Sequence, residues 1–245
     1  MVDAKWTIRL SHLALRLGVA AFLVALFGVL LARYDLVPKT VGLFALLGGV
    51  LIAFAGVLAG VAGAGLNLKY KTQTLRTALI GLLLSGGYAG YMASRAHVAS
   101  GVPGIHDITT DLANPPTFAH LSLRADNLAG VETLQNWRTL HARAYADLKP
   151  LTIAKPVATV LSNAERLARK QGWEIVAVDA AAGQLEATAS VSFIRYKDDV
   201  VVLVVPTQDG QGSLVDMRSV SRIGVSDLGV NAKRIRAFLA ALAAA

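Results

Sequence analysis

The densest group of side chains capable of chemistry lies near the C-terminus: Asp216, Arg218, Ser219, Ser221, Arg222, Ser226, Asp227, Asn231, Lys233, Arg234 and Arg236. Asn231 is placed as the N-cap of a final helix, and Lys233, Arg234 and Arg236 fall in its first turns. There the helix dipole disfavours cations by up to about 1 kcal/mol each, so an anion must offset them. Two sources are open. One is an internal network in which Asp216 and Asp227 pair with Arg218, Arg222 or Arg234. The other is an anion site, in which amides at the helix start and one or two arginines hold a carboxylate or a phosphate such as a phospholipid head group. A second, looser group is His106, Asp107, Asp111 and His120, around Pro115 and Pro116. Its spacing fixes no convergent geometry, so capping and turn roles are expected rather than a metal site. No cofactor is implied. Catalysis would require a pocket that brings His106 or His120 to Asp216 and Arg218. The chain has no cysteine, no Gly-x-Ser-x-Gly elbow, no His-Glu-x-x-His helix and no Walker loop, which removes thiolate chemistry and most hydrolase readings.

These residues follow an opening of another character. Of 245 residues, 54% are hydrophobic and 16% charged, with mean hydropathy +0.52, too apolar for one soluble domain. The apolar excess sits in residues 1–99, where three membrane helices are predicted at about 13–31, 41–66 and 77–93. Lys5, Arg9, Arg16, Lys69, Lys71 and Arg76 fall on one side of such a bundle, and Arg33, Lys39 and Arg95 on the other. That bias predicts a cytoplasmic N-terminus and, after three crossings, an exported tail. The formal charge of +8 comes almost wholly from these flanks, so nucleic acid is not an expected partner. Gly49, Ala53, Gly56, Gly60 and Ala64, with Gly86 and Gly90, make small-residue faces suited to close helix packing, within the chain or against a membrane partner or a second copy. No Asp, Glu or His lies mid-span, which points to an anchor rather than a transporter.

Residues 100–245 are predicted as one α+β domain. Gly101 to about Ala125 reads as a stalk or surface strap. After Pro156 an amphipathic helix runs to Gly172. Strands follow at 173–178, 185–196, 200–205 and 214–220, joined by short turns, the second of them at Lys197 and Asp198, which makes an antiparallel meander. In 185–196 alternation places Leu185, Ala187, Ala189, Val191 and Phe193 inward and Glu186, Thr188, Ser190 and Ser192 on a wet face.

The run from Val215 through Asp216, Arg218, Ser221, Arg222, Gly224, Asp227, Gly229 and Asn231 to Arg234 and Arg236 resembles the C-terminal signature of the domain of unknown function 1499 family. Ile105 to Asp111 with Pro115, Pro116 and Phe118 is similar to its opening motif, and Tyr145, Asp147, Leu148 and the Asp198, Asp199, Val200 segment also fit. The resemblance implies a bacterial envelope or organellar domain, sometimes membrane-anchored, and brings no assigned activity. The expectation is a periplasmic binding or accessory module on an inner-membrane anchor; the alternative is a lipid- or anion-directed enzyme.

Overall fold

A computed structural model describes residues 2–245, which divide into two compact units at Ser100. The first is three helices: α1 (Val2–Arg33), α2 (Lys39–Tyr70) and α3 (Leu75–Ser100). Pro38 sets the start of α2, and Lys71, in the left-handed region at φ 48°, ends it by returning its N–H to the Asn67 carbonyl. The packing inverts that of a water-soluble bundle. Ala14, Ala21, Ala53 and Ala78 are fully buried, while Phe27, Phe44, Leu51, Phe54 and Leu83 are 58–74% exposed. Small residues inside let the backbones approach. A Cβ on Gly81 of α3 would lie 2.5 Å from the α1 backbone at Ala14 and Leu15, so only glycine fits there. Gly49, Ala53, Gly56 and Gly60 of α2 are buried in the same way, whereas Gly86 and Gly90 of α3 meet nothing within 4 Å. At one end Asn67 donates to Ser11 Oγ at 3.2 Å and accepts from Thr72 at 2.5 Å, tying α1 to the α2–α3 connection.

Helices α1 and α2 are long and apolar enough to cross a membrane. The third predicted span, 77–93, is helical, but Ser85, Tyr88, Tyr91 and four glycines dilute its leucines and it does not reach the same apolarity.

The second unit is α+β. It holds a six-stranded, wholly antiparallel sheet of β1 (Asp107–Thr109), β2 (Leu151–Ile153), β3 (Glu174–Asp179), β4 (Gln184–Val191), β5 (Tyr196–Pro206) and β6 (Ser213–Ser221). The order is β1-β6-β5-β4-β3, with β2 pairing the first residues of β6 beyond β1. Helices α4 (Leu134–Ala144), α5 (Val157–Lys170) and α6 (Val230–Ala243) complete it. Val160, Leu161 and Ala164 of α5 and Ile235, Phe238 and Leu242 of α6 bury against Leu185, Ala187, Val200, Val202, Val215 and Met217 of the sheet, and Trp173 stacks on Phe238 at 4.9 Å.

Four expectations are corrected. The β4–β5 turn is Ser192–Arg195, with Ser192 and Arg195 both at φ 62°, so Phe193 is 56% exposed and Lys197 and Asp198 lie inside a strand. The strap is interrupted by an edge strand, because residues 107–109 find free hydrogen-bonding groups on β6. The α6 N-cap position is Gly229, not Asn231; the cap acceptor is Asp227, which takes the N–H groups of Gly229 at 2.9 Å and Asn231 at 2.6 Å. The face of β4 expected to be wet is covered over its first half, where Glu186 is 1% and Thr188 4% exposed, while Ser190 and Ser192 are exposed as expected.

Candidate functional site

Strand alternation sends the signature residues to opposite faces of the sheet. Ser219, Ser221 and Asp198 face α6. There Arg234 donates to Asp198 at 2.7 Å, to Ser219 Oγ at 2.8 Å and to Asn231 Oδ1, and Asn231 donates to the His106 carbonyl at 2.8 Å and Ser221 Oγ at 3.0 Å. Arg234 is 9% exposed, and Asp198 neutralises the helix-start cation. Arg236, on the surface, pairs with Asp147 at 2.6 Å and lies over the Tyr145 ring.

The other face carries Glu186, Thr188, Asp199, Val201, Asp216, Arg218 and Val220, roofed by the strap that follows β1. Three anchors hold the roof. Arg218 makes a two-pronged bond to Asp107, at 2.8 and 2.6 Å, and reaches the Pro116 carbonyl at 3.2 Å; Asn127 also donates to Asp107 at 2.6 Å. Glu186 accepts from the backbone N–H groups of Ala119 at 2.5 Å, His120 at 3.1 Å and Leu121 at 2.7 Å, and from the Gln184 amide at 2.8 Å. Thr110 donates to Asp216 at 2.9 Å. Alongside, Arg222 is bidentate on Asp199 and touches Thr188. The expected partners Asp216 and Asp227 are therefore not those of the arginines, which take Asp107, Asp199 and Asp198. Edge strand β1 is closed by α4: Trp137 donates to the Asp107 carbonyl at 2.8 Å, and the Thr109 N–H donates to His141 Nε2 at 3.1 Å.

Between roof and sheet lie two hollows that share Leu123 and Arg124. One, about 290 Å³, is lined by Ser122, Asp199, Ser221 and Arg222; the other, about 570 Å³, by Asp107, Asn127, Leu128, Glu132, Leu134, Trp137 and Arg218. No histidine lines either. His120 borders a third hollow of about 30 Å³ beside Glu186, and His106 is buried with neither ring nitrogen hydrogen-bonded. Asp111 folds a turn by accepting from Ala113 and Asn114. Among the described residues no group of three or more His, Asp or Glu side chains is placed to hold a metal ion.

This architecture coincides with a sequence family. The model of the family described as "Protein of unknown function (DUF1499)" matches residues 107–242, from the first residue of β1 to the last turn of α6. The chain belongs to that family. No curated protein matches it.

Within the DUF1499 domain, Glu186, Arg124, Asn127, Trp137 and His141 are the residues that sequence reasoning missed. Glu186 alternates with core positions like any solvated residue, and only the roof above it sets it apart. Burial would push its carboxyl up, but the amides of Ala119, Leu121 and His120 and of Gln184 outweigh burial and hold it below the ordinary range. Asp216 and Asp227 are raised, chiefly by burial. Tyr145 is pushed up to about 12, first by burial and then by Asp227. Burial, and then the Arg124 guanidinium, push His106 down; burial likewise lowers His141.

Both histidines are thus neutral in the fold, and the sign of the pH dependence follows. The unfolded chain takes up two protons as pH falls through about 6.5, while the fold does not until the depressed values are reached. Their stability contribution is full above about pH 6.5 and falls on acidification by about 1.4 kcal/mol per pH unit for each histidine. Asp216 and Asp227 act with the opposite sign nearer the carboxylate range. Thermal melts followed from about pH 7.5 to 5.5 are expected to show the loss, and His106→Leu to remove about half of its slope. A flat wild-type profile would mean that the imidazoles are charged in the fold.

Proposed function

We propose that this DUF1499 protein is an inner-membrane-anchored accessory module of the bacterial envelope, with a cytoplasmic N-terminus and a periplasmic DUF1499 domain that binds a partner or ligand. The observation that carries the anchor is the inverted packing of α1–α3, alanines and glycines inside with leucines and phenylalanines outside, which suits lipid as the surrounding solvent. Helix α3 is read as the third crossing because Gly81 packs directly on the α1 backbone, so α3 enters with the other two. Six basic residues against three support the orientation. A binding role is favoured over an enzyme because Arg218, Arg222 and Arg234 are each engaged by an internal carboxylate, and the hollows under the roof carry no histidine. If an anion is held, Arg222 and Arg124 at the smaller hollow are the arginines placed to reach it.

Purification of the full chain in mild detergent tests this reading. A stoichiometric membrane or periplasmic protein should accompany it, and alkaline phosphatase fused behind Ala245 should be active. A chain that comes alone, or a fusion active only as a cytosolic reporter, would refute it.

A further inference from the structure

One end of the sheet carries apolar side chains that the domain leaves uncovered. The loop leaving β6 exposes Ile223 (36%), Val225 (53%) and Leu228 (56%), and the β4–β5 turn lies at the same end. Leu228 is in the left-handed region at φ 55°, a conformation leucine rarely adopts, and it presents its side chain outward nonetheless. The loop is not slack. Asp227 donates its N–H to the Ile105 carbonyl at 3.3 Å, Ser226 Oγ donates to the Pro103 carbonyl at 3.2 Å, and Gly130 makes room for Val225. Around it stand basic side chains: Arg195 is exposed, and Arg222 and Lys197 have 47% and 39% of their side-chain surface in solvent.

The same stitches limit where the loop can be. Pro103 is three residues beyond Ser100, where α3 ends, and three residues reach at most about 10 Å. The polar last turns of α3, residues 94–100, rise about 10 Å, close to the depth of one head-group layer. The covalent chain therefore keeps an apolar, cation-rimmed loop within reach of the bilayer surface from which α3 emerges.

We infer that the segment Arg222–Leu228, with the Ser192–Arg195 turn, is a membrane-docking surface that inserts Ile223, Val225 and Leu228 among lipid head groups while Arg195 and Arg222 meet their phosphates. This rests on the anchor reading, since without inserted helices no bilayer lies beside the loop.

The absence of native cysteine makes the test direct. Ile223→Cys, Val225→Cys, Gln208→Cys at the opposite end of the sheet and Phe54→Cys on the outside of α2 are each labelled with an environment-sensitive fluorophore. The full-length variants are placed in phosphatidylethanolamine and phosphatidylglycerol nanodiscs, with or without lipid spin-labelled near the head group for positions 223, 225 and 208, and in mid-chain for position 54. Quenching of about twofold or more is expected at positions 223, 225 and 54, and none at 208. Quenching at 54 with 223 and 225 as bright as 208 overturns the docking and leaves the anchor standing. No quenching at 54 overturns the anchor and the docking with it. Equal quenching at 208 and 225 overturns the end-on contact.

Discussion

Arg218→Met is expected to destabilise the DUF1499 domain by about 3–5 kcal/mol, lowering its melting temperature on the order of 10 °C. The reason is the partner left behind. Asp107 is 2% exposed and would be left buried with only the Asn127 amide to face its carboxyl group. Asp107→Leu should cost a similar amount by stranding the guanidinium, which would retain only the Pro116 carbonyl. The double variant Asp107→Leu, Arg218→Met is expected to lose much less than the two single losses together, because an apolar pair of similar volume leaves no charge unpaired. Arg218→Lys should not rescue, since one ammonium cannot reproduce the fork. Urea titration followed by tryptophan emission measures all four, because Trp137 is 2% exposed and bonded to the Asp107 carbonyl. Additive single losses would show that the pair is energetically uncoupled.

Glu186→Gln is expected to cost about 2–4 kcal/mol and, more tellingly, to release the roof. The carboxylate satisfies three successive backbone donors at once, and an amide must turn its own NH₂ against one of them. Unpaired amides at Ala119 to Leu121 would then seek water, and the segment carrying Arg124 would lift. Trypsin reads this directly. The Arg124 side chain is 15% exposed in the closed form, so cleavage after it should be slow in the wild type and many-fold faster in Glu186→Gln, ahead of global unfolding. Because the Glu186 carboxyl is held below its ordinary value, its contribution is present above the unfolded carboxylate range and disappears as pH falls through the depressed folded value. Wild-type protein brought below that value should therefore lose hydrogen-exchange protection at the amides of residues 119–121, as the variant does at neutral pH. Equal cleavage rates in the two proteins at neutral pH would show that the roof is held elsewhere.

What the sequence makes legible here is whatever repeats with a period. The α5 stripe, the apolar runs of α1 and α2 and the meander from Glu174 to Ser221 all show a spacing of 3.6 or 2. Three-residue strands show none: β1 and β2 exist only because β6 offers them partners more than fifty residues away in the chain. The site residues divide in the same way. Arg218, Arg222 and Arg234 stand out by density, but their partners Asp107, Asp199 and Asp198 are fixed by register. Glu186 is invisible because a carboxylate on a covered face and one on an open face have the same neighbours in sequence. The β4–β5 turn falls at Ser192–Arg195, where two non-glycine residues take the left-handed conformation, and composition does not reveal that.

The Asp107–Arg218 bond joins residues 111 apart, and β1 and β2 both pair only with β6. During synthesis, β1, β2 and the Asp107 anchor of the roof must remain without their closing partner until β6 has emerged, while β3, β4 and β5 pair as they appear. Closure of the domain is therefore a late step, and a ribosome stalled shortly before Ser213 would display the β3–β5 meander with β1, β2 and the roof still open.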